Sequence, residues 1–409
     1  MQRRTALKLL GLSAVAGTGA AYWPDEGVFN PCLIQKMPDH LMSHEIMQAA
    51  WDGIDSKYYI DTHAHMAGTG DSNSGIWLHP DMQNPLQVLH YVRFKFYLNA
   101  ACVQDKQNID QQYVEHMLRL HRDFPSAAKF MLLAFDYHHD EQGEKVTDKT
   151  PFAVPNEYVA QLAKRYPQQF EWAASIHPYR KDCVTLLDWC VRHGARAVKW
   201  LPQMMGINPA SKLCEQFYDA LAKHDIPLLC HAGDEHAVAG VEAQSLGNPL
   251  LLRKPLEHGV KVIVAHCATM GSNVDIDKGK QAMPVGNFQL FARMMDEPQY
   301  EGKLFGDISA IPQVNRYGPA LGNIIYRQDW HHRLLNGSDF PLPGVMPMFS
   351  VKRIFKMGLL EEKQIEYIKE VRRYNPVLFD FVLKRSMRYK GMKLADSIFE
   401  AGRLLRKQG

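Results

Sequence analysis

The sequence has no long apolar run. Nowhere in its 409 residues does a stretch of about 18 apolar residues occur, so no bilayer-spanning helix is predicted. It also has little excess charge, because 47 Lys and Arg face 44 Asp and Glu. A nucleic-acid binder normally concentrates basic residues, so no nucleic-acid partner is expected. The remaining composition, 46% hydrophobic and 22% charged, excludes disorder, collagen and long coiled coil. The length allows two or three domains or one large α/β barrel with insertions.

Closely spaced cysteine pairs are also missing. The seven cysteines are odd in number and form no C-x-x-C pair: Cys32, Cys102, Cys183, Cys190, Cys214, Cys230 and Cys267. We therefore predict neither a disulfide framework nor a zinc ribbon. Most of these residues are expected to be small core residues, since free cysteine is among the most buried residue types.

The first 21 residues have the layout of a signal peptide, with a basic start, a short apolar stretch and then small residues. Arg3-Arg4 followed by Leu7 and Lys8 resembles the twin-arginine export motif. A general secretory signal and an N-terminal core helix are the alternatives. Arg3, Arg4 and Lys8 are the only charges in this segment, so its removal takes the formal net charge from +3 to zero. We predict a bacterial protein exported to the periplasm by the twin-arginine machinery, with residues 22–57 as an N-terminal extension.

Short apolar runs alternate with amphipathic stretches from residue 58 to 385, which is typical of a parallel sheet covered by helices. The predicted strands are 58–64, 129–136, 171–177, 197–201, 227–231, 260–266, 304–309 and 334–339. Eight such units predict a (β/α)8 TIM barrel. Residues 81–124 have helical periodicity and are predicted to form a helical insertion between strands one and two. A doubly wound sheet is the second choice, weakened by the absence of G-x-G-x-x-G after an early strand.

Polar residues close several of these apolar runs. The first strand ends in Asp61-Thr62-His63-Ala64-His65, and alternation along a strand places its acid and both histidines on one face. The later strand-end residues are Lys199, His231, His266 and Asp339. A buried His or Asp is costly unless it is paired or bound to a metal, and strand ends converge at the barrel mouth. The sequence therefore predicts a metal site there.

These motifs resemble the amidohydrolase superfamily, specifically its amidohydrolase-related branch of metal-dependent barrel enzymes. The resemblance spans residues 58–383 and rests on D-T-H-A-H, the strand-four lysine, the two later strand-end histidines and G-S-D-F-P around Asp339. It implies a divalent metal, zinc above all, with His63, His65, His231 and Asp339 as ligands. His266 is then either a ligand of a second metal or a catalytic acid/base.

Lys199 decides between one metal and two in this resemblance. A protonated amine is a poor ligand, whereas a lysine carboxylated by CO2 bridges two cations. One ion is favoured, because the branch often has this lysine without a bridge. An ion pair of Lys199 with Asp61 or Asp307 is the remaining interpretation.

The implied chemistry is attack of metal-activated water on an amide, ester or lactone, with Asp339 as general base and His266 or His231 stabilising the developing oxyanion. A metal-dependent non-oxidative decarboxylase of the same fold is the alternative. A catalytically idle barrel that serves as a binding protein is the second alternative. The partner is a small-molecule substrate, and a homo-oligomer is also considered.

Weaker signals surround the predicted mouth. His177 ends strand three, Asp234 follows strand five, and Trp77 lies in a polar loop; all three are candidate substrate contacts. The tail, residues 386–409, is predicted to be a basic amphipathic helix, since residues 384–409 contain eight Lys or Arg against two Asp or Glu. Such a helix packs on its own barrel or on a partner subunit, or lies on an anionic membrane surface.

Overall fold

The structure, a computed structural model, describes residues 24, 26–105, 107–238, 243–279 and 281–405. The predicted signal peptide and the last four residues of the tail lie outside the described residues. Within the described ranges, no helix is both long enough and apolar enough to cross a membrane.

Eight parallel strands form the centre of the molecule. In chain order they are β1 Ile60–His65, β3 Lys129–Leu133, β5 Phe170–Ala173, β6 Val198–Trp200, β7 Leu228–His231, β8 Val262–Ala265, β11 Leu304–Asp307 and β12 Leu334–Leu335. Two antiparallel pairs lie outside this set, β2 Trp77–Leu78 with β4 Phe152–Ala153 and β9 Ser272–Val274 with β10 Pro284–Gly286. The parallel strands are almost entirely buried, as expected for a sheet covered on both faces.

The eight strands form two sheets with the orders β1-β3-β5 and β12-β11-β8-β7-β6. Single parallel bridges join the sheets at Ala174 with Val198 and at Ala64 with Phe340. The eight parallel strands agree with the predicted α/β TIM-barrel class, but within the described residues they do not form one closed ladder. At one junction β12 has only two residues, and Asp339 adopts a left-handed φ of 61° that no regular strand contains. The predicted strand 334–339 therefore stops at Leu335.

Helices cover the strands and close the chain. In chain order, α1 to α15 are Asp39–Met42, Glu45–Trp51, Val88–Ala100, Ile109–His121, Asn156–Arg165, Cys183–Arg192, Pro202–Met205, Glu215–His224, Arg253–Glu257, Asn287–Met295, Pro319–Tyr326, Val351–Lys356, Ile365–Tyr374, Pro376–Ser386 and Gly402–Leu405. Helix α14 shows how local sequence sets a boundary. The Asn375 side chain accepts the Leu378 N–H at 3.0 Å, and Pro376 occupies the first turn, where a missing N–H costs nothing.

The C-terminal helix α14 holds the loop that carries Asp339. Lys384, fully buried, donates to the Gly337 carbonyl at 2.7 Å and pairs with Asp380 at 2.6 Å. The tail holds the same loop, because the Asn336 N–H donates to the Ile398 carbonyl at 2.9 Å. Two separate C-terminal elements therefore fix the backbone just before Asp339.

The segment predicted as a helical insertion, residues 81–124, contains helices α3 and α4. Helix α3 packs against the loop that follows Asp339 through a small apolar cluster of Phe96, Ala100, Leu342 and Val345. The approach is close enough to require glycine, since a Cβ at Gly344 would lie 2.5 Å from the Ala100 carbonyl oxygen.

Cysteine pairing is a correction to the sequence prediction. Cys32 and Cys102 form a disulfide across a sequence separation of 70, whereas the other five cysteines are free and buried, as expected. The pair has no spacing motif, because its geometry is set by the fold of the N-terminal extension against the end of α3. The fold brings its two Cα atoms to within 5.5 Å of each other, a separation that suits a disulfide.

The tail also differs from prediction. Instead of one amphipathic helix, the described part of residues 386–409 contains a 3₁₀ turn, Asp396–Phe399, and the four-residue helix α15. Leu394, Ile398 and Leu405 are buried. In this described part of the tail, these residues are therefore not available as an apolar face for a membrane surface.

Candidate metal centre and active site

Side chains from the ends of five strands meet at one end of the sheets. The group, called the floor below, comprises His63, His65, Lys199, His231, His266 and Asp339. Strand β1 supplies the first two, β6 supplies Lys199, and β7 supplies His231 as its last residue. His266 directly follows β8, and Asp339 follows β12 after the bend described above. The positions predicted from the strand ends are therefore gathered in one place.

His63 lies at the centre of the floor. Its Nδ1 is 2.5 Å from Asp307 Oδ2, and its Nε2 is 3.0 Å from Lys199 Nζ and 3.5 Å from Asp339 Oδ1. The carboxylate of Asp307 holds the ring hydrogen on Nδ1, which leaves the Nε2 lone pair facing Lys199 and Asp339. A carboxylate behind a histidine is the arrangement that orients metal-binding imidazoles.

Asp339 connects the other imidazoles. Its Oδ1 is 2.8 Å from His65 Nε2, and its Oδ2 is 3.8 Å from His266 Nε2. The backbone helps to place it, because the Asp339 N–H donates to the His63 carbonyl at 2.8 Å. The Asp61 carboxylate also fixes this region, because it accepts hydrogen bonds from the backbone N–H groups of Ser338 and His63.

The donor set fits a divalent cation. Nitrogen and oxygen atoms of His63, His65 and Asp339 lie within 4.8 Å of one another, and the two separations to Asp339 Oδ1 are 2.8 and 3.5 Å. A tetrahedral ion with bonds of 2.0–2.1 Å needs ligand separations of about 3.3 Å, so these atoms are spaced to surround one ion. Lys199 Nζ lies 3.0 Å from His63 Nε2, on the side of the ring that would face the ion. Imidazole and carboxylate ligands suit zinc and other first-row divalent ions.

His266 and His231 extend the floor away from His63. The His266 and His63 ring centroids are 5.0 Å apart, and those of His231 and His266 are 5.2 Å apart. His266 Nδ1 lies 3.0 Å from the Ser309 carbonyl oxygen, which places the ring hydrogen on Nδ1 and leaves Nε2 free to accept a proton. His231 Nδ1 is 3.5 Å from Glu235 Oε2, while its buried Nε2 has no hydrogen-bond partner among the described residues.

Burial sets the protonation of the floor. It lowers the pKa of His63 to about 4, with Lys199 adding to the effect, and lowers the pKa of His231 to about 4. Burial also lowers the pKa of His266 and of the Lys199 ammonium. For Asp339, burial opposes ionisation, but His266, His63 and His65 outweigh it and hold the pKa well below its ordinary value. Neutral imidazoles beside an ionised carboxylate are the form in which these groups bind metal.

A cavity of about 230 Å³ opens over the floor. One side of it, called the wall below, is helix α3. Val92, Phe94, Phe96, Tyr97 and Leu98 line the cavity from this helix. The Tyr97 hydroxyl donates to the Ala237 carbonyl at 2.6 Å and so joins the wall to the loop after β7.

Residues 29–32 hold the wall from behind. Phe29 stacks on Phe96 with ring centroids 5.4 Å apart, and Asn30 exchanges two hydrogen bonds with Asn99, at 2.8 and 3.1 Å. The disulfide of Cys32 with Cys102 lies at the end of the same helix. The predicted N-terminal extension is therefore part of the site's supporting structure.

The weaker candidates do not line this cavity. Trp77 Nε1 donates to the Thr150 carbonyl at 3.1 Å. His177 is fully buried and is held between the Met205 carbonyl and the Tyr179 N–H. Asp234 is partly exposed, and its neighbours Glu235 and His236 contact the cavity instead.

Other residues of the site were missed by the sequence analysis. Asp307 was considered only as an ion-pair partner of Lys199, although it closes β11 as the other floor residues close their strands. Ser309, whose hydroxyl lies 3.1 Å from His63 Nδ1 and 2.8 Å from His266 Nδ1, carried no sequence signal. Neither did Gln313 and Arg316, which line the cavity from the loop after β11.

Comparison with solved structures finds matches at low identity. An uncharacterised TIM-barrel protein from Bordetella bronchiseptica is 14% identical, with 76% of this chain and 94% of that chain covered and a TM-score of 0.45. A probable 2-pyrone-4,6-dicarboxylic acid hydrolase from Acinetobacter baumannii is 15% identical, with 78% and 96% covered and a TM-score of 0.43. A 5-carboxyvanillate decarboxylase from Novosphingobium aromaticivorans is 10% identical, with 77% and 94% covered and a TM-score of 0.42.

No curated protein matches the chain. A family model described as amidohydrolase matches residues 60–349, which include every floor residue and more than half of the sequence. The chain therefore belongs to this amidohydrolase family of metal-dependent enzymes.

Proposed function

We propose that the protein is a metal-dependent hydrolase that attacks an amide, ester or lactone with water. The observation that carries this proposal is the convergence of His63 Nε2, His65 Nε2 and Asp339 Oδ1 at spacings that suit one ion. Zinc fits this donor set, and we propose a single ion, since these three atoms are spaced to surround one. A divalent cation bound there would lower the pKa of water from 15.7 to about 7 and polarise a substrate oxygen.

The protein's own side chains then move the proton. Asp339 is ionised and reaches both His65 and His266, so it accepts a proton from the attacking water. His266, whose Nε2 is unprotonated and 3.8 Å from Asp339 Oδ2, is placed to take that proton onward to the leaving group. The buried Nε2 of His231 has no hydrogen-bond partner among the described residues, so it would serve as a further ligand of the ion.

A metal-dependent decarboxylase remains the second candidate. The observation that favours it is the set of three cationic side chains lining the cavity, Arg93, Lys199 and Arg316, which suits a carboxylated substrate. In that reaction His266 or Asp339 would first take up a proton from solvent water and then deliver it to carbon as CO2 leaves.

The test combines metal analysis with a substrate screen. Purified wild-type protein is expected to contain zinc and to hydrolyse members of a panel of lactones, aryl esters and amides. His63→Ala is expected to lose both metal and activity, while His40→Ala, an exposed matched control, keeps both. Release of CO2 from carboxylated aromatics without hydrolysis would favour the decarboxylase. Retention of metal and activity by His63→Ala would refute the site.

We also propose that the protein works outside the cytoplasm after twin-arginine export. The Cys32–Cys102 disulfide supports this, because such bonds form and persist mainly in oxidising compartments. Mass analysis of the N-terminus of periplasmic material tests it. Loss of about 21 residues is expected, and cytoplasmic retention of the full-length chain would contradict the proposal.

A further inference from the structure

Three buried hydrogen-bond donors without partners lie on one turn beside the floor. The turn follows β11 and is closed by the Arg316 N–H, which donates to the Gln313 carbonyl at 2.9 Å. Arg316 Nε and Nη1 and Gln313 Nε2 have no hydrogen-bond partner among the described residues. Both residues line the cavity, with Arg316 only 6% exposed and Gln313 1% exposed. A buried guanidinium without partners is costly, so its retention calls for a ligand.

The nearby carboxylates are engaged elsewhere. Asp339 is directed at His65, His63 and His266. Glu235 faces His231 at 3.5 Å and accepts the N–H groups of Ala237 and Val238. Among the described residues, no carboxylate, Asp234 and Asp307 included, comes within ion-pair distance of Arg316.

The charge of the cavity lining points the same way. Arg93, Lys199 and Arg316 contribute three positive charges, and Glu235 and Asp339 contribute two negative ones, which leaves +1 when the imidazoles are neutral. A divalent ion on the floor raises this to +3. A monoanionic ligand reduces the excess and gives the unpaired donors an acceptor.

We propose that the turn 313–316 is an anion subsite that binds a carboxylate group of the substrate, with Arg316 and Gln313 as its donors. The inference rests on the proposed function for the identity of the reacting site. The apolar side chains of the wall lie in the same cavity, so the rest of the substrate is an apolar or aromatic body. The volume of about 230 Å³ limits it to a small molecule. The substrate class is therefore a small apolar carboxylic acid that also carries the hydrolysable bond.

Calorimetric titration with benzoate and with its neutral analogue benzamide tests the subsite. Both are titrated into metal-loaded protein and into chelator-treated protein. Benzoate is expected to bind wild type at least about tenfold more tightly than benzamide in both forms. Arg316→Met is expected to remove that preference, whereas Arg192→Met, which removes an exposed charge from helix α6, leaves it unchanged. Gln313→Leu is expected to weaken benzoate alone, by a smaller factor.

Thermal unfolding provides the folding control. Because Arg316→Met removes a buried charge without a partner, its Tm without ligand is expected to equal or exceed that of wild type. The proposal is overturned if benzoate binds no more tightly than benzamide, or if Arg316→Met and Gln313→Leu both leave benzoate affinity unchanged. The chelator-treated titration involves neither metal nor turnover. Failure of hydrolysis with intact benzoate preference would therefore remove the proposed function alone.

Discussion

The floor and the wall of the cavity are built on opposite principles. The floor consists of charged and polar side chains at strand ends, each held by short contacts to another buried polar group, such as His63 to Asp307. The wall is a helix whose cavity-lining side chains are mostly apolar, and it is held in place by a distant part of the chain, residues 29–32. The chemistry of the site therefore depends on local strand geometry. Its shape depends on residues 29–32, called the tether below, which are far from helix α3 in sequence.

Mutations in the floor and in the tether should also have different energetic consequences. Removing one member of the floor leaves a buried polar partner unsatisfied, which costs affinity for the ion. Removing the tether leaves every reacting group in place but frees the helix that shapes the cavity. Damage to the two regions should therefore appear in different measurements.

Breaking the tether is expected to have the largest effect on stability. The Cys32–Cys102 disulfide closes a loop with a sequence separation of 70, for which chain entropy predicts about 4 kcal/mol of stabilisation. Cys32→Ser should lower the free energy of unfolding by up to this amount and raise KM with little change in kcat. Denaturant unfolding and steady-state kinetics measure both. A reductant should lower the free energy of unfolding of wild type by the same amount and leave that of Cys32→Ser unchanged. If the reductant leaves the stability of wild type unchanged, the disulfide does not stabilise the protein.

Asp307→Asn should change metal binding by the floor and leave the wall unaffected. The amide no longer holds the His63 hydrogen on Nδ1 as a carboxylate does, so zinc affinity is expected to fall about 10- to 100-fold. That factor corresponds to about 1.4–2.7 kcal/mol. Competition with a chromophoric chelator measures it, and Asp148→Asn, an exposed matched change, should have no effect. If Asp307→Asn alters KM at saturating zinc but not zinc affinity, the orienting role is wrong.

Lowering the pH should reduce the free energy of unfolding through the floor histidines but should not change the contribution of the tether. In the unfolded chain His63 and His231 take up protons near pH 6.5, whereas in the folded chain burial keeps them neutral down to about pH 4. The unfolded state therefore binds more protons between these values, and unfolding free energy falls as the pH falls.

The expected slope in chelator-treated protein is about 1.4 kcal/mol per pH unit for each of the two histidines. Denaturant titrations at several pH values measure it. The cost of Cys32→Ser should be the same at every pH, because the disulfide does not titrate. A flat profile for wild type over this window would show that the imidazoles are not held neutral.

The floor was predictable because its signal is local. Each predicted metal-type residue ends an apolar run, and parallel strands bring such ends together. The exact strand limits were less predictable. Strand β12 stops at Leu335, and Asp339 itself adopts a left-handed conformation that hydrophobic periodicity does not predict. Asp307 was open to the same argument as the other strand-end residues.

The wall was not predictable, because the interactions that place it are far apart in sequence. Helical periodicity indicates a helix within residues 81–124 but not the side of the molecule on which it lies. Asn30 and Asn99 are separated by 69 residues, and neither carries a recognisable motif. The single disulfide of Cys32 with Cys102 was missed for the same reason. Arg316 was missed because a single arginine in a loop is ordinary until its burial is known.

The hydrogen bond from Lys384 to the Gly337 carbonyl bears on how the protein is made. A growing chain that has reached Asp339 already contains every floor residue, yet it lacks the lysine that fixes the loop in which Asp339 lies. The ion site is therefore completed only after helix α14 has been synthesised. A premature stop between these two positions would yield a product that retains all the residues of the reaction and still fails to hold them in place.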